Sequence, residues 1–403
     1  MTGKERGIAS SMSYEAKARG VTRGMPLHEI RRLCPECVIV PSDYETYSLF
    51  SVRMFDIVRR YTEDVEEYSI DECFADLTGL RRPLKMSYRE MPERIKSDLD
   101  GELGMTFSVG LAPTKVLAKA ASKWKKPSGL TVISGRHIEE YLGALPVEKV
   151  WGIGPQTSAF LAKHRIVTAL DFALRDETWV KRHLSKPYQE IWHELRGTPI
   201  YQVTAEKKTE YKSIGKTKTF TPPSTDRAFV LAQLSKNVEN ACIKARRYNL
   251  RSDLVFVFLK TQDYRYRGLE LRLRRPVNVP VTIMREVEAR FDELYVPALP
   301  YRATGAILMN LESQGLQPDL FDGHVEIERM EKIYAGVDAL SRKYGKHTVF
   351  LGSSFQAMRG SQHLSERGDQ ARRKTLLLKG ETQRRRIGIP YLGISSKTLR
   401  YAI

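Results

Sequence analysis

The chain has 403 residues, with 66 Lys+Arg against 48 Asp+Glu, a net charge of +18 and a pI near 9.6. That length predicts roughly two to four domains, and that charge favours a polyanionic partner. No apolar run approaches the ~18 residues needed to span a membrane, the start Met1-Thr2-Gly3-Lys4 opens no signal peptide, and the four cysteines make no disulfide framework in so long a chain. The expectation is a cytoplasmic, reduced protein that handles nucleic acid and has no membrane partner.

In chain order, Ala9-Ser10-Ser11-Met12-Ser13-Tyr14-Glu15-Ala16-Lys17-Ala18-Arg19-Gly20-Val21 and Gly24-Met25-Pro26 group hydroxyl, aromatic and basic residues. Taken alone, Tyr14 is equally a packed aromatic. Cys34-Pro35-Glu36-Cys37 has zinc-like spacing, but no second Cys/His pair completes four ligands.

Next, Glu66-Glu67-Tyr68-Ser69-Ile70-Asp71-Glu72-Cys73-Phe74-Ala75-Asp76-Leu77-Thr78 sets Asp71 and Glu72 side by side in an apolar, strand-like frame. Adjacent anions repel unless cations hold them, and hard oxygen ligands suit Mg²⁺, which takes one or two carboxylates plus substrate phosphates. Two such ions roughly 3.5–4 Å apart clamp the attacking and leaving oxygens of a phosphoryl displacement. The plain alternative is an exposed acidic turn, because neighbours on a regular strand face opposite ways.

The stretch Ser108-Val109-Gly110-Leu111-Ala112-Pro113-Thr114-Lys115, continuing through Lys119 to Lys126-Pro127-Ser128-Gly129-Leu130, reads as strand, tight turn, basic helix and Pro/Gly turn. Thr114 is a plausible N-cap, and Lys115 and Lys119 share one helix face. With these blocks in order, the chain resembles the Y-family translesion DNA polymerases of the DinB/UmuC group. Their hallmarks are a Ser-Ile-Asp-Glu segment, a Gly-(Ile/Leu)-Ala-Pro-x-Lys-x-Leu-Ala-Lys segment and a Lys-Pro-x-Gly turn.

The resemblance implies an α+β, right-hand architecture of fingers, palm and helix-hairpin-helix thumb, plus a little-finger domain. It implies template-directed addition of deoxynucleotides to a primer 3′ end past damaged bases, with two Mg²⁺ ions. Asp71 and Glu72 would be the catalytic metal ligands. Ser11, Tyr14, Lys17 and Lys126 would bind the triphosphate, and Lys17 stands where the family usually has Arg, which keeps the charge but loses the bidentate fork. Lys115 and Lys119 would contact DNA. The family's opening His-Ile-Asp-x-Asp-x-Phe strand, with its first metal-binding Asp, has no counterpart here. The expectation is therefore an incomplete metal site, weak extension by the chain as given, and an exposed sheet edge.

Val150-Trp151-Gly152-Ile153-Gly154-Pro155-Gln156-Thr157 followed by Leu161 and Ile166-Val167-Thr168 is a helix-hairpin-helix pattern. Its glycines, Gly152 and Gly154, open backbone N–H groups to a phosphate without reading sequence. After a linker near Thr204, strands are expected at 212–220, 254–259, 269–274 and 303–309, with helices at 225–248 and 281–294. The third strand places Glu270, Arg272 and Arg274 on one face at period two. Residues 204–311 carry 20 Lys+Arg and 11 Asp+Glu, which favours DNA contact by Arg272 and Arg274 over an ordinary solvated face.

Gln317-Pro318-Asp319-Leu320-Phe321 resembles bacterial sliding-clamp peptides, with Gln317, Leu320 and Phe321 as the binding residues. A short helix is expected at 337–345, and the basic clusters Arg372-Arg373-Lys374 and Arg384-Arg385-Arg386 suggest DNA-seeking segments. The domains expected are 1–43 fingers remnant, 44–133 palm, 134–203 thumb, 204–311 little finger and 312–403 tail, in a monomer whose partners are primer-template DNA, deoxynucleoside triphosphates and the clamp. Two other readings remain: a non-catalytic DNA- and clamp-binding protein, and another helix-hairpin-helix DNA repair enzyme such as a nuclease.

Overall fold

A computed structural model describes residues 7–40, 42–206, 211–313, 324–344 and 347–358 of the chain. These fall into two units, 7–206 and 211–358. Helices and sheets are mixed in the α+β manner expected.

Three apolar cores follow one another along the first unit. The N-terminal one gathers Val21, Leu27 and Ile30 around the helices Tyr14–Ala18 and Leu27–Leu33. Here the expectation of unpaired cysteines is corrected. The turn that follows Leu33 brings the Cα atoms of Cys34 and Cys37 to 5.5 Å, and their sulfurs are bonded, within the span a bridge can close. Cys73 and Cys242 are free.

The second core rests on two helices. Asp43 opens Tyr44–Val58 by accepting the Thr46 N–H at 3.2 Å. In Glu90–Leu103, Met91, Ile95, Leu99 and Leu103 recur every fourth residue and so form one buried stripe. Gly104, at φ 65°, ends that helix in the left-handed conformation a glycine adopts freely. Strands β1 (Val65–Ser69) and β2 (Glu72–Ala75) make an antiparallel hairpin, while β3 (Val109–Leu111) and β4 (Leu130–Val132) pair in parallel. Among the described residues these remain separate two-stranded sheets. Such pairs are marginal alone, so each depends on the helices against it.

The crossover between β3 and β4 is the helix Lys115–Trp124, capped by the Thr114 hydroxyl as its sequence predicts. Its Val116 and Leu117 are packed into the third core with Leu142, Leu161, Ile191 and Leu195. Through Val116 and Leu117 the helix thus joins the core of residues 134–203, while its backbone lies close against β3 at Gly110.

In the second unit, β5 (Ile214–Ser224), β6 (Leu250–Thr261), β7 (Tyr266–Val277) and β8 (Tyr301–Ser313) form one antiparallel sheet in the order β5-β8-β6-β7. Leu269, Leu271 and Leu273 face its core while Glu270, Arg272 and Arg274 are exposed, the alternation expected of a one-sided strand. The helix Arg227–Arg247 lies on the buried face and is capped by Asp226. The helix expected over 281–294 breaks at Arg290 into Pro280–Ala289 and Phe291–Leu294.

The short helix expected at 337–345 is corrected to His324–Tyr344. Tertiary ion pairs fasten it, Arg246 to Asp338 at 2.7 Å and Arg251 to Glu331 at 2.7 Å, and no local signal announces such partners. Residues 347–358 then cover the polar stripe of helix Arg227–Arg247. Ser235 bonds Ser353 and Ser354, and Glu239 accepts from the Leu351 N–H and the Ser354 hydroxyl.

Two glycines check this packing. A Cβ on Gly110 would lie 2.2 Å from the Ser122 nitrogen and 2.4 Å from the Ala118 oxygen, both backbone atoms. Gly110→Ala should therefore destabilise by about 2–3 kcal/mol, the upper part of the overpacking range. Gly101, in the last turn of helix Glu90–Leu103 with nothing within 4 Å of such a Cβ, should gain about 0.5 kcal/mol as Ala. Denaturant midpoints measure both; an unchanged Gly110→Ala midpoint would mean β3 and the helix are not in this contact.

Candidate active site

Asp71 and Glu72 stand at the apex of the β1–β2 hairpin. Ile70 and Asp71 form the turn and Glu72 begins β2 opposite Ser69. This apex replaces the strand-like frame read from sequence and relieves the difficulty of adjacent strand residues facing apart. Asp71 is exposed and accepts the Ser69 hydroxyl at 2.7 Å. Glu72 is half-buried and pairs with Lys119 at 2.5 Å.

Lys115 and Lys119, expected from the resemblance to contact DNA, turn inward onto carboxylates. Lys115 donates to Glu66 at 2.6 Å and to the Gln202 carbonyl at 3.2 Å, and lies 4.7 Å from the centre of the Phe74 ring. Lys119 lies 5.6 Å from that of Tyr68. Their side chains are only 11 % and 10 % exposed. Glu66 also accepts the Thr204 N–H at 2.9 Å, which pins the end of the third core to β1.

The same hairpin is joined to residue 151 through rings. Trp151 packs edge-on against Tyr68 at 5.4 Å and Tyr201 at 6.1 Å, and tilted against Phe74 at 5.6 Å. Burial pushes the Tyr201 hydroxyl up to about 12, with neighbouring Glu190 adding to it. Lys123, one turn beyond Lys119, is held below the usual lysine value, first by burial and then by the Lys119 charge.

One carboxylate essential to this arrangement has no signature in the sequence. Glu194 is wholly buried, and it accepts the backbone N–H groups of Val116 at 3.0 Å, Ile200 at 2.6 Å and Tyr201 at 2.8 Å. Its own carbonyl takes the Thr114 hydroxyl at 2.9 Å. It thereby satisfies an orphan donor at the start of the lysine-bearing helix. The partners lie 78 residues apart in sequence, so no local pattern could reveal them.

The remaining candidates lie elsewhere. Ser11, Tyr14 and Lys17 are exposed together on the N-terminal segment, with Tyr14 and Lys17 one turn apart in helix Tyr14–Ala18. Lys126 is exposed in the turn before β4. Gly152 has φ 94°, and a Cβ there would meet the Ile191 Cδ1 atom at 2.6 Å. Gly154 caps helix Pro155–Lys163 without a side chain, and a Cβ there would meet nothing within 4 Å, so the amides of this N-terminus are approachable. Arg272 and Arg274 line the outer face of β7. Gln317, Leu320 and Phe321 lie outside the described residues.

Donor chemistry at Asp71 and Glu72 fits a divalent ion. Both offer hard carboxylate oxygens at a solvent-reached turn, as suits an ion that keeps several waters. Among the described residues no group of three His, Cys, Asp or Glu gathers as a fuller ligand set. No helix among them is long and apolar enough to cross a membrane.

Comparison with known proteins agrees along the chain. The model of the impB/mucB/samB family matches residues 1–123, and that of its C-terminal domain matches residues 211–320. DNA polymerase IV 1 of Bacillus subtilis (strain 168) is 32% identical over 356 residues, 88% of this chain and 85% of that one. DNA polymerase IV of Clostridium kluyveri is 30% identical over 359 residues, 86% of this chain and 88% of the relative. The fold resembles that of a Y-family DNA polymerase chimera of Dbh and Dpo4, with a TM-score of 0.63 at 23% identity, covering 77% of this chain and 90% of the other.

The Glu194 arrangement yields a measurable expectation. Glu194→Ala leaves the buried Val116 N–H and the part-buried N–H groups of Ile200 and Tyr201 without their acceptor, at about 1–3 kcal/mol for a buried one before relaxation, so a loss of about 2–4 kcal/mol in unfolding free energy is expected. A loss under about 1 kcal/mol would show that water replaces the carboxylate without difficulty.

Proposed function

Because the chain belongs to the impB/mucB/samB family, that of the Y-family, DinB-type DNA polymerases, we infer that it is a DNA-directed DNA polymerase of the translesion type. It adds deoxynucleotides to a primer 3′ end under the direction of a template, past damaged bases. The observation that carries this reading is relatedness to DNA polymerase IV across nearly nine-tenths of the chain. A nuclease built on the helix-hairpin-helix alone would leave the matches to both halves of the chain without purpose.

The reaction depends on divalent metal, which we take to be Mg²⁺ held by Asp71 and Glu72. When bound, the metal supplies charge neutralisation and activation of the primer hydroxyl. The residues of the chain do the rest. Ser11, Tyr14, Lys17 and Lys126 orient the triphosphate and neutralise charge growing on the pyrophosphate. The open amides at Gly154 and the turn at Gly152 seat a backbone phosphate without reading its base. Arg272 and Arg274, on the solvent face of β7, grip phosphates in the same sequence-blind way. Lys115 and Lys119 serve the site from behind, as partners of Glu66 and Glu72 rather than of DNA.

In domain terms, the fingers, palm, thumb and little finger correspond to the four apolar cores. The protein works as a cytoplasmic monomer, and Gln317, Leu320 and Phe321 dock it on a sliding clamp.

Two experiments test this. Asp71→Ala should abolish primer extension while leaving primer-template affinity within about threefold, since roughly 1.4 kcal/mol is needed for tenfold and the grip lies elsewhere. Extension at the wild-type rate would remove Asp71 from the chemistry, and template-independent cleavage instead of extension would overturn the polymerase reading. Leu320→Ala with Phe321→Ala should weaken binding to the bacterial sliding clamp at least about tenfold, given about 1.5–3 kcal/mol per buried apolar anchor. Equal clamp affinities in a labelled titration would make the pentapeptide ordinary sequence.

A further inference from the structure

Lys119 is placed differently from the lysine one turn before it. Lys115 shares its ammonium between Glu66 and a backbone carbonyl, and Glu66 in turn holds a backbone N–H. That pair is part of the frame. Lys119 reaches Glu72, a carboxylate with a second task, at 2.5 Å, with its side chain 10 % exposed and its head beside the Tyr68 ring.

We propose that Lys119 and the divalent metal compete for Glu72, so that metal enters the site only as the Lys119 ammonium leaves the carboxylate. The proposal rests on the reading that Asp71 and Glu72 are the metal ligands. A carboxylate can serve two cations in water, but here one of them is nearly buried, and salt screens buried pairs poorly. The surroundings already resist further positive charge. Lys123 lies next along the same helix face, and its proton is less tightly held because of burial and of Lys119. A divalent ion arriving beside an ammonium that stays in place meets that resistance in full. An ion that displaces it does not, and Asp71, exposed and bonded only to a neighbouring hydroxyl in the described structure, is the carboxylate an incoming ion meets first.

The consequence is a tax on metal affinity. When only a fraction of molecules has a free Glu72, the apparent dissociation constant rises by the inverse of that fraction. With the pair formed in about nine molecules of ten, removing Lys119 tightens metal binding about tenfold. The pair also neutralises one of the two adjacent carboxylates, Glu72, and so lessens its repulsion of Asp71.

The test uses the whole chain and a readout independent of turnover, Mn²⁺ titrated against protein while free Mn²⁺ is followed by its paramagnetic resonance signal. Lys119→Met and, as a second variant, Lys119→Gln are compared with wild type, after circular dichroism confirms that each is folded. Lys123→Met removes an equal charge from the same helix face without touching the pair. The expected result is Mn²⁺ affinity raised about tenfold by either Lys119 variant and raised far less by Lys123→Met. Equal gains at both positions would reduce the effect to general repulsion and overturn the competition. Unchanged or weakened binding in the Lys119 variants, or no binding by them or by the wild type, overturns it as well. Glu72→Gln separates the proposal from its premise: Mn²⁺ binding indifferent to that change means the metal is not on this carboxylate, and the assignment of the site itself fails.

Discussion

Two lysines one turn apart on helix Lys115–Trp124 meet two carboxylates of the β1–β2 hairpin, Lys115 with Glu66 and Lys119 with Glu72. These contacts join the hairpin to a helix whose Val116 and Leu117 belong to the third core. The hairpin carries Asp71 and Glu72 side by side at its apex, where they repel one another, and a two-stranded ribbon has little strength to hold them. Cations supplied from a helix on another core give the ribbon its place. Such partly buried pairs add little net stability, because desolvation offsets most of the attraction, but removing one partner is costly. Their effect is to fix geometry.

That geometry reaches the helix-hairpin-helix by two further routes. Trp151, just before Gly152, packs against rings on both strands of the carboxylate hairpin. Glu194 ties the end of the third core to the start of the lysine helix through three backbone amides. A neutral amide there would offer one acceptor oxygen to three donors and leave at least one orphaned, and an apolar side chain would leave all three. Gly110 closes the arrangement from the other side, since only a residue without Cβ lets β3 approach the helix backbone this nearly. Ionic, aromatic and steric contacts thus agree on one relation between the carboxylates and the hairpin beside them.

How much of this could be read from the sequence varies with the range of the contact. Local signals carried well: Thr114 as a cap, the strand, turn and helix from Ser108 to Trp124, and the alternation of Leu269, Leu271 and Leu273 with Glu270, Arg272 and Arg274. Errors fell where distant residues decide. Lys115 and Lys119 share a helix face as predicted, yet whether that face meets DNA or carboxylates depends on residues 49 positions away in the case of Lys115. The disulfide between Cys34 and Cys37 is not legible in the sequence, because spacing alone is compatible with metal, bridge or neither. Less than half of helix His324–Tyr344 is legible in the sequence, because its fastening residues, Arg246 and Arg251, belong to another part of the chain.

In the second unit the same logic explains a feature that would otherwise be a fault. Helix Arg227–Arg247 buries Gln233, Ser235, Asn237, Glu239 and Asn240 as well as its apolar stripe, and polar groups buried without partners are expensive. Asn237 is satisfied by Thr304 of β8. Ser235 and Glu239 are satisfied by residues 351–354, and Asn240 bonds the His347 ring. Burial keeps Glu239 above the usual carboxylate range, against the opposing pull of its hydrogen bonds. The C-terminal segment is therefore not an ornament on a finished domain. It supplies the second face that makes this helix's composition tolerable, so the sheet bearing Arg272 and Arg274 is held on its far side by chain that lies beyond residue 320, where the family match to this half ends.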